Sequence, residues 1–139
     1  MLKRVLFIVA SIVAVAALSG CSRTLPLELP ANTPIELRTF VLDTPGRAES
    51  ARRNVQLQPD STEYQRFREW LVQNQTGWSE SETTIPRQGV IVQLTGFSLH
   101  FAADVVFAST PKGQFEKKVR EQDYAYLKAP LGIAGDAVR

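Results

Sequence analysis

The sequence predicts an α+β domain, an antiparallel sheet of about four to five strands with one main helix packed on one face, in the order β-β-α-β-β-β with a short C-terminal helix. Three observations carry this. Residues 90–107 alternate apolar and polar side chains around Thr95-Gly96, the pattern of a half-buried hairpin. Residues 61–75 set Tyr64, Phe67, Trp70 and Leu71 within an arc of roughly 120° at helical spacing, a core-facing stripe. Short stretches rich in β-branched residues lie on both sides of that helix, bounded by Pro and Gly turns.

Taken in order, the chain opens with Lys3 and Arg4, then an apolar run over residues 5–18. A basic start, an apolar stretch of about 14 and a small-residue exit have the layout of a secretory signal peptide. That run is shorter than the roughly 18 to 20 residues that cross a bilayer, so a cleaved signal is expected here rather than a spanning helix. Residues 21–34 hold three prolines and read as an extended tether, which at ~3.1 to 3.5 Å per residue spans up to about 40 Å. Leu25, Leu27 and Leu29 alternate like an edge strand, which leaves open that this segment lies along the domain. Pro26 and Pro30 argue against a central strand there.

The globular domain is expected over residues 35–130. Ile35, Leu37, Thr39 and Val41 share one face of a first strand. Asp43-Thr44-Pro45-Gly46 is a turn, residues 47–53 read as polar and irregular, and residues 54–58 alternate as a second strand. Asp60 is placed to cap the helix, with Glu63 completing a capping box. Gly77 is placed to end it, with Trp78 folding back onto the last turn. In the hairpin, a two-residue turn at Thr95-Gly96 pairs Leu94 with Phe97, Val92 with Leu99 and Val90 with Phe101. A slip of one residue destroys every apolar match, so the register is strongly specified. The second arm reads as one run to Phe107, and its opposite face, with Ile91, Gln93, Ser98, His100, Ala102 and Asp104, reads as half-solvated. After the turn cluster at 109–113, residues 114–119 fit a strand and also the start of a helix; strand is favoured, followed by a short helix near 123–128. Residues 131–139 read as a frayed tail.

Composition narrows the function classes. Removal of residues 1–20 takes two of the 16 Lys and Arg and none of the 14 Asp and Glu, leaving a net charge of zero. That balance offers no electrostatic footprint for nucleic acid. The one Cys of the chain, Cys21, leaves no disulfide to be formed within it. Ten of the 14 remaining cations are Arg, with Arg47, Arg52 and Arg53 close together. Arginine suits carboxylate or phosphate recognition, and a solvated loop is the competing reading.

Catalytic constellations are missing from the pattern. Zinc sites need three or four nitrogen, sulfur or carboxylate ligands, and His100 is the one histidine. No Gly-x-Ser-x-Gly elbow presents a nucleophile. Ser98 and His100 share a strand face, but their Cα atoms are ~7 Å apart and Asp104 is ~13 Å from His100, which disfavours a relay. No catalytic residue, metal or cofactor is therefore expected, and the chain is read as a non-enzyme.

Leu18-Ser19-Gly20-Cys21 resembles the lipobox of bacterial lipoproteins. The resemblance implies cleavage before Cys21, diacylation of its thiol and usually acylation of the new amine. Two or three acyl chains, each buried CH₂ worth ~0.8 kcal/mol, give stable anchoring where one chain does not. Ser22 is not the Asp that resembles an inner-membrane retention signal, so the expected address is the outer membrane, with the domain facing the periplasm or the cell surface. The run from Trp70 to Trp78 and the following hairpin loosely resemble small uncharacterised bacterial proteins, and no activity travels with that likeness. The function expected is a lipid-anchored binding or scaffolding domain for another envelope protein. The alternatives are an inhibitor or immunity lipoprotein of a periplasmic enzyme, using a sheet edge or the 78–80 loop as a plug, and a hydrolase built on His100. Candidate binding residues are Arg47, Arg52, Arg53, Trp78, Gln93, Ser98 and His100, with Cys21 the lipid attachment site.

Overall fold

The computed structural model describes residues 22–41 and 51–133, and for Val41, Ala51 and Arg52 the backbone alone. The seven strands are β1 (Ile35–Val41), β2 (Ala51–Leu57), β3 (Ser79–Glu80), β4 (Val90–Leu94), β5 (Phe97–Ala102), β6 (Val105–Thr110) and β7 (Gly113–Lys118). Helix α1 (Thr62–Gln73) lies between β2 and β3, and α2 (Glu121–Tyr124) runs into a 3₁₀ turn over Ala125–Leu127. The strands form one sheet in the order β2-β1-β4-β5-β6-β7-β3, antiparallel at every step.

The fold class is the expected one, with more strands. The β4–β5 hairpin takes the register that its apolar pattern demands, Leu94 opposite Phe97, Val92 opposite Leu99 and Val90 opposite Phe101. Gly96 supplies the positive φ of 89° that its two-residue turn needs. The long second arm, by contrast, is two strands. Ala103 adopts φ 49°, a left-handed conformation that glycine normally supplies, and Ala103-Asp104 turns the chain into β6. The stretch expected as strand over 114–119 is strand through Lys118, as favoured. The two-residue β3 carries no alternation from which to read it.

The core lies between α1 and one sheet face. Leu37, Val90, Val92, Leu99, Phe101, Val106 and Ala108 are all fully buried, and the registers place them on the same side. Against them α1 buries Tyr64, Phe67, Trp70 and Leu71. Trp70 meets Phe101 edge-on at 5.0 Å, and Tyr124 adds a third ring 4.9 Å from Phe101. The Tyr124 hydroxyl donates to the Ala103 carbonyl at 2.8 Å, and burial raises its pKa to about 12. The helix cap is Ser61 rather than Asp60: its Oγ accepts the Tyr64 N–H at 3.2 Å. Asn74 is the C-cap, and Gly77, at φ 82°, redirects the chain three residues later.

Two segments read as loose prove to be built in. Residues 23–29 are no free tether. Arg23 and Trp78 form an antiparallel bridge with N···O distances of 2.6 and 3.2 Å, and the Leu25 N–H donates to Gln75 O at 2.7 Å. Leu25 and Leu27 join the core at 5% and 2% exposure, while the Tyr64 hydroxyl reaches the carbonyls of Pro30 and Thr33. At the other end Leu131 is fully buried, and its carbonyl accepts Arg53 Nη1 at 2.8 Å, so the domain runs past residue 130. The part of the expected tail at 134–139 lies outside the described residues.

Candidate functional site

The sheet face turned away from α1 divides into a covered half and an open half, and the topology dictates the division. The chain leaves β3 at one edge beside β7 and must re-enter at β4, on the far side of β5. Residues 81–89 therefore cross β7, β6 and β5 as a strap. Its contacts place it on the outer face. Ser81 Oγ donates to Glu116 Oε2 at 2.8 Å, Gln114 Nε2 donates to Thr83 O at 2.7 Å, and His100 Nε2 donates to Gln88 O. Glu116, Phe107 and His100 sit in register on this side, and His100 and Phe107 are 8% and 3% exposed beneath the strap.

His100 is thus buried, not the solvated residue of a half-wet face. A carbonyl only accepts, so the Gln88 contact requires the proton on Nε2. Burial pushes the imidazole pKa below its ordinary value, and the Gln88 hydrogen bond opposes that in part. A side chain so enclosed and so engaged is a structural pin for the strap rather than a ligand-facing group.

Beyond the strap, β2, β1 and β4 keep their outer face open. The alternation that buries Ile35, Leu37 and Thr39 turns Glu36 and Arg38 outward, and pairing brings Asn54 and Gln56 beside them on β2 and Gln93 on β4. Arg38 Nε and Nη2 donate to the two oxygens of Glu36 at 2.8 and 3.0 Å, a forked ion pair two residues apart on one strand. That hydrogen bonding, more than simple charge proximity, holds the Glu36 carboxyl below its usual range and raises the Arg38 guanidinium. Gln93 and Ser98, opposite each other across β4 and β5, close this patch at its border with the strap. The result is an open face bearing one fixed charge pair among amides and a hydroxyl, with the half-buried Ile91 opposite Arg38 and Phe40 next along β1 on the same side.

The residues expected to bind scatter. Gln93 and Ser98 belong to the open face. Trp78 is fully buried, with its indole Nε1 donating to Asn74 O at 2.7 Å, so it is a core residue, and Ser79-Glu80 beside it is an exposed edge strand rather than a loop. Arg53 lies in β2 rather than in a loop, and its guanidinium is spent on the Leu131 carbonyl. Arg52 lies in β2 opposite Phe40. Arg47 and Cys21 fall outside the described residues. Glu36, Arg38, Asn54 and Gln56 were missed, although the period-two pattern of 35–39 carried the signal for the first two. Among the described residues no three His, Cys, Asp or Glu side chains are grouped to hold a metal, and no helix is long and apolar enough to cross a membrane. Comparison with family models, with curated proteins and with solved structures finds no match for this chain.

Proposed function

We propose that this chain is a lipid-anchored, non-enzymatic binding domain of the bacterial envelope, attached through Cys21 to the outer membrane and facing the periplasm. Its partner, another envelope protein, is met on the open β2-β1-β4 face. The observation that carries the reading is the junction after the lipobox-like Leu18-Ser19-Gly20-Cys21. Two residues beyond Cys21 the chain is hydrogen-bonded into the sheet edge, so the segment following the motif belongs to the fold. An attachment point joined that directly to a compact domain suits a module that presents a surface.

The open face favours protein contact. It mixes polar groups with the half-buried apolar Ile91 and Phe40, and its fixed Glu36–Arg38 pair gives a partner one oriented donor–acceptor feature to read. The test has two arms. Cys21→Ser keeps the fold and loses membrane association; a variant that still sediments with membranes after a salt wash overturns the anchored reading. Arg38→Glu abolishes co-purification of the partner from mildly solubilised envelopes, whereas Arg68→Glu, on the exposed side of α1, leaves it intact. Equal loss or equal retention in the two Arg variants rejects the open face as the binding surface.

A further inference from the structure

Resting on the anchored reading above, we infer that the domain is held in one orientation, with the β3 edge of its sheet seated in the lipid headgroup layer and the β2 edge pointing away from the membrane. The argument is one of reach. A free tether over residues 21–34 would let the domain drift up to about 40 Å from its anchor. The structure shortens that reach to the two Cα steps from Cys21 to Arg23, about 7 Å of extended chain. Arg23 itself is fixed by the paired backbone bonds to Trp78, by its ion pair with Glu80, and by the burial of Leu25 and Leu27 just behind it.

The headgroup zone of a bilayer leaflet is about 5–7 Å thick. An acylated Cys21 sits at its base, so the reach from anchor to β3 matches the thickness of that zone. The surface there is of the right kind. Ser22, Thr24, Thr76, Ser79 and Glu80 are exposed and polar, fit for headgroups and unfit for hydrocarbon. Lys117 and Lys118 follow one strand in, Lys117 with its ammonium donating to Thr76 O at 2.7 Å. From β3 to β2 the sheet takes six inter-strand steps of about 4.8 Å, which puts β2 roughly 29 Å further from the lipid. The open face proposed for the partner then stands at the outer end of the domain.

Because acylation consumes the one native thiol, a single added cysteine is the only free one in the full lipidated chain. Ser79→Cys and Asn54→Cys, each carrying a fluorophore, are reconstituted in phosphatidylethanolamine–phosphatidylglycerol vesicles with headgroup spin-labelled lipid. The expected quenching is at least about threefold greater at position 79 than at 54, given the ~29 Å difference in height. Inserting a ten-residue Gly-Ser spacer between Ser22 and Arg23, with a reach of about 17 Å, lowers quenching at position 79 to the level at 54. Equal quenching at both positions in a protein whose Cys21 is acylated by mass spectrometry overturns the orientation alone. An unacylated Cys21 overturns the anchored reading and the orientation with it.

Discussion

At the scale of single residues, the backbone at Gly89 sets the tightest limit in the domain. The strap re-enters the sheet there at φ 99°, and a Cβ would stand 1.9 Å from the Phe101 carbonyl oxygen, a rigid β5 atom. The Gly89 carbonyl also accepts the hydroxyl of Thr39, itself buried at 3% exposure in β1. Gly89→Ala therefore must displace either the strap or the β4–β5 pair, and the left-handed conformation adds ~1 to 2 kcal/mol on top of the clash. We expect a loss of at least about 3 kcal/mol, seen as a lower urea midpoint, with Gly96→Ala milder because its Cβ meets nothing within 4 Å. An alanine at 89 that leaves the midpoint unchanged would contradict this packing.

Among the elements, the N-terminal segment gives the clearest case of tertiary structure overriding local pattern. Residues 22–34 look like a linker because prolines interrupt them, yet Leu25 and Leu27 fill the space beside α1 and the sheet. Leu27→Ala should cost ~2 to 5 kcal/mol, the range for truncating a buried leucine, whereas a residue on a free tether costs nothing measurable. Thermal or chemical unfolding of the variant checks it directly. The converse case is the β4–β5 hairpin, legible in every register pair because alternation and a glycine turn point the same way. The β5–β6 turn escaped the reading because Ala103-Asp104 holds no glycine or proline to mark it. β3 escaped because both of its residues are exposed and its partner β7 lies over thirty residues away in the chain. Of the candidate site, the face of Gln93 and Ser98 was legible from strand alternation. Its extent was not, because it depends on β1 pairing with β4 and on where the strap crosses, and neither is encoded locally.

For the molecule as a whole, the burial of His100 ties stability to pH. Its folded-state pKa is lowered below 6.5 by desolvation, so the unfolded chain binds the proton more readily than the native one. The stability this contributes is complete above the unfolded pKa and is lost as pH falls from about 6.5 through the lowered folded value. No other side chain has an ordinary pKa in that range, since the chain holds a single histidine. Urea midpoints measured between about pH 7.5 and 5.5 should fall for the native chain and stay level for His100→Gln. A native chain whose midpoint is flat over that window would show that the imidazole is not enclosed by the strap.

The bridge between Arg23 and Trp78 bears finally on the order in which the domain assembles. The β4-to-β7 meander closes through two-residue turns, so its contacts are local and cost little loop entropy. Glu36 meets Gln93, and Arg23 meets Trp78, across more than fifty residues of intervening chain. Contacts of that separation form late. The segment from Arg23 to Leu27 is made before the meander and is among the last to find its place. The edge beyond β3 therefore stays open while the meander folds, and closes only when the Arg23–Trp78 bridge forms.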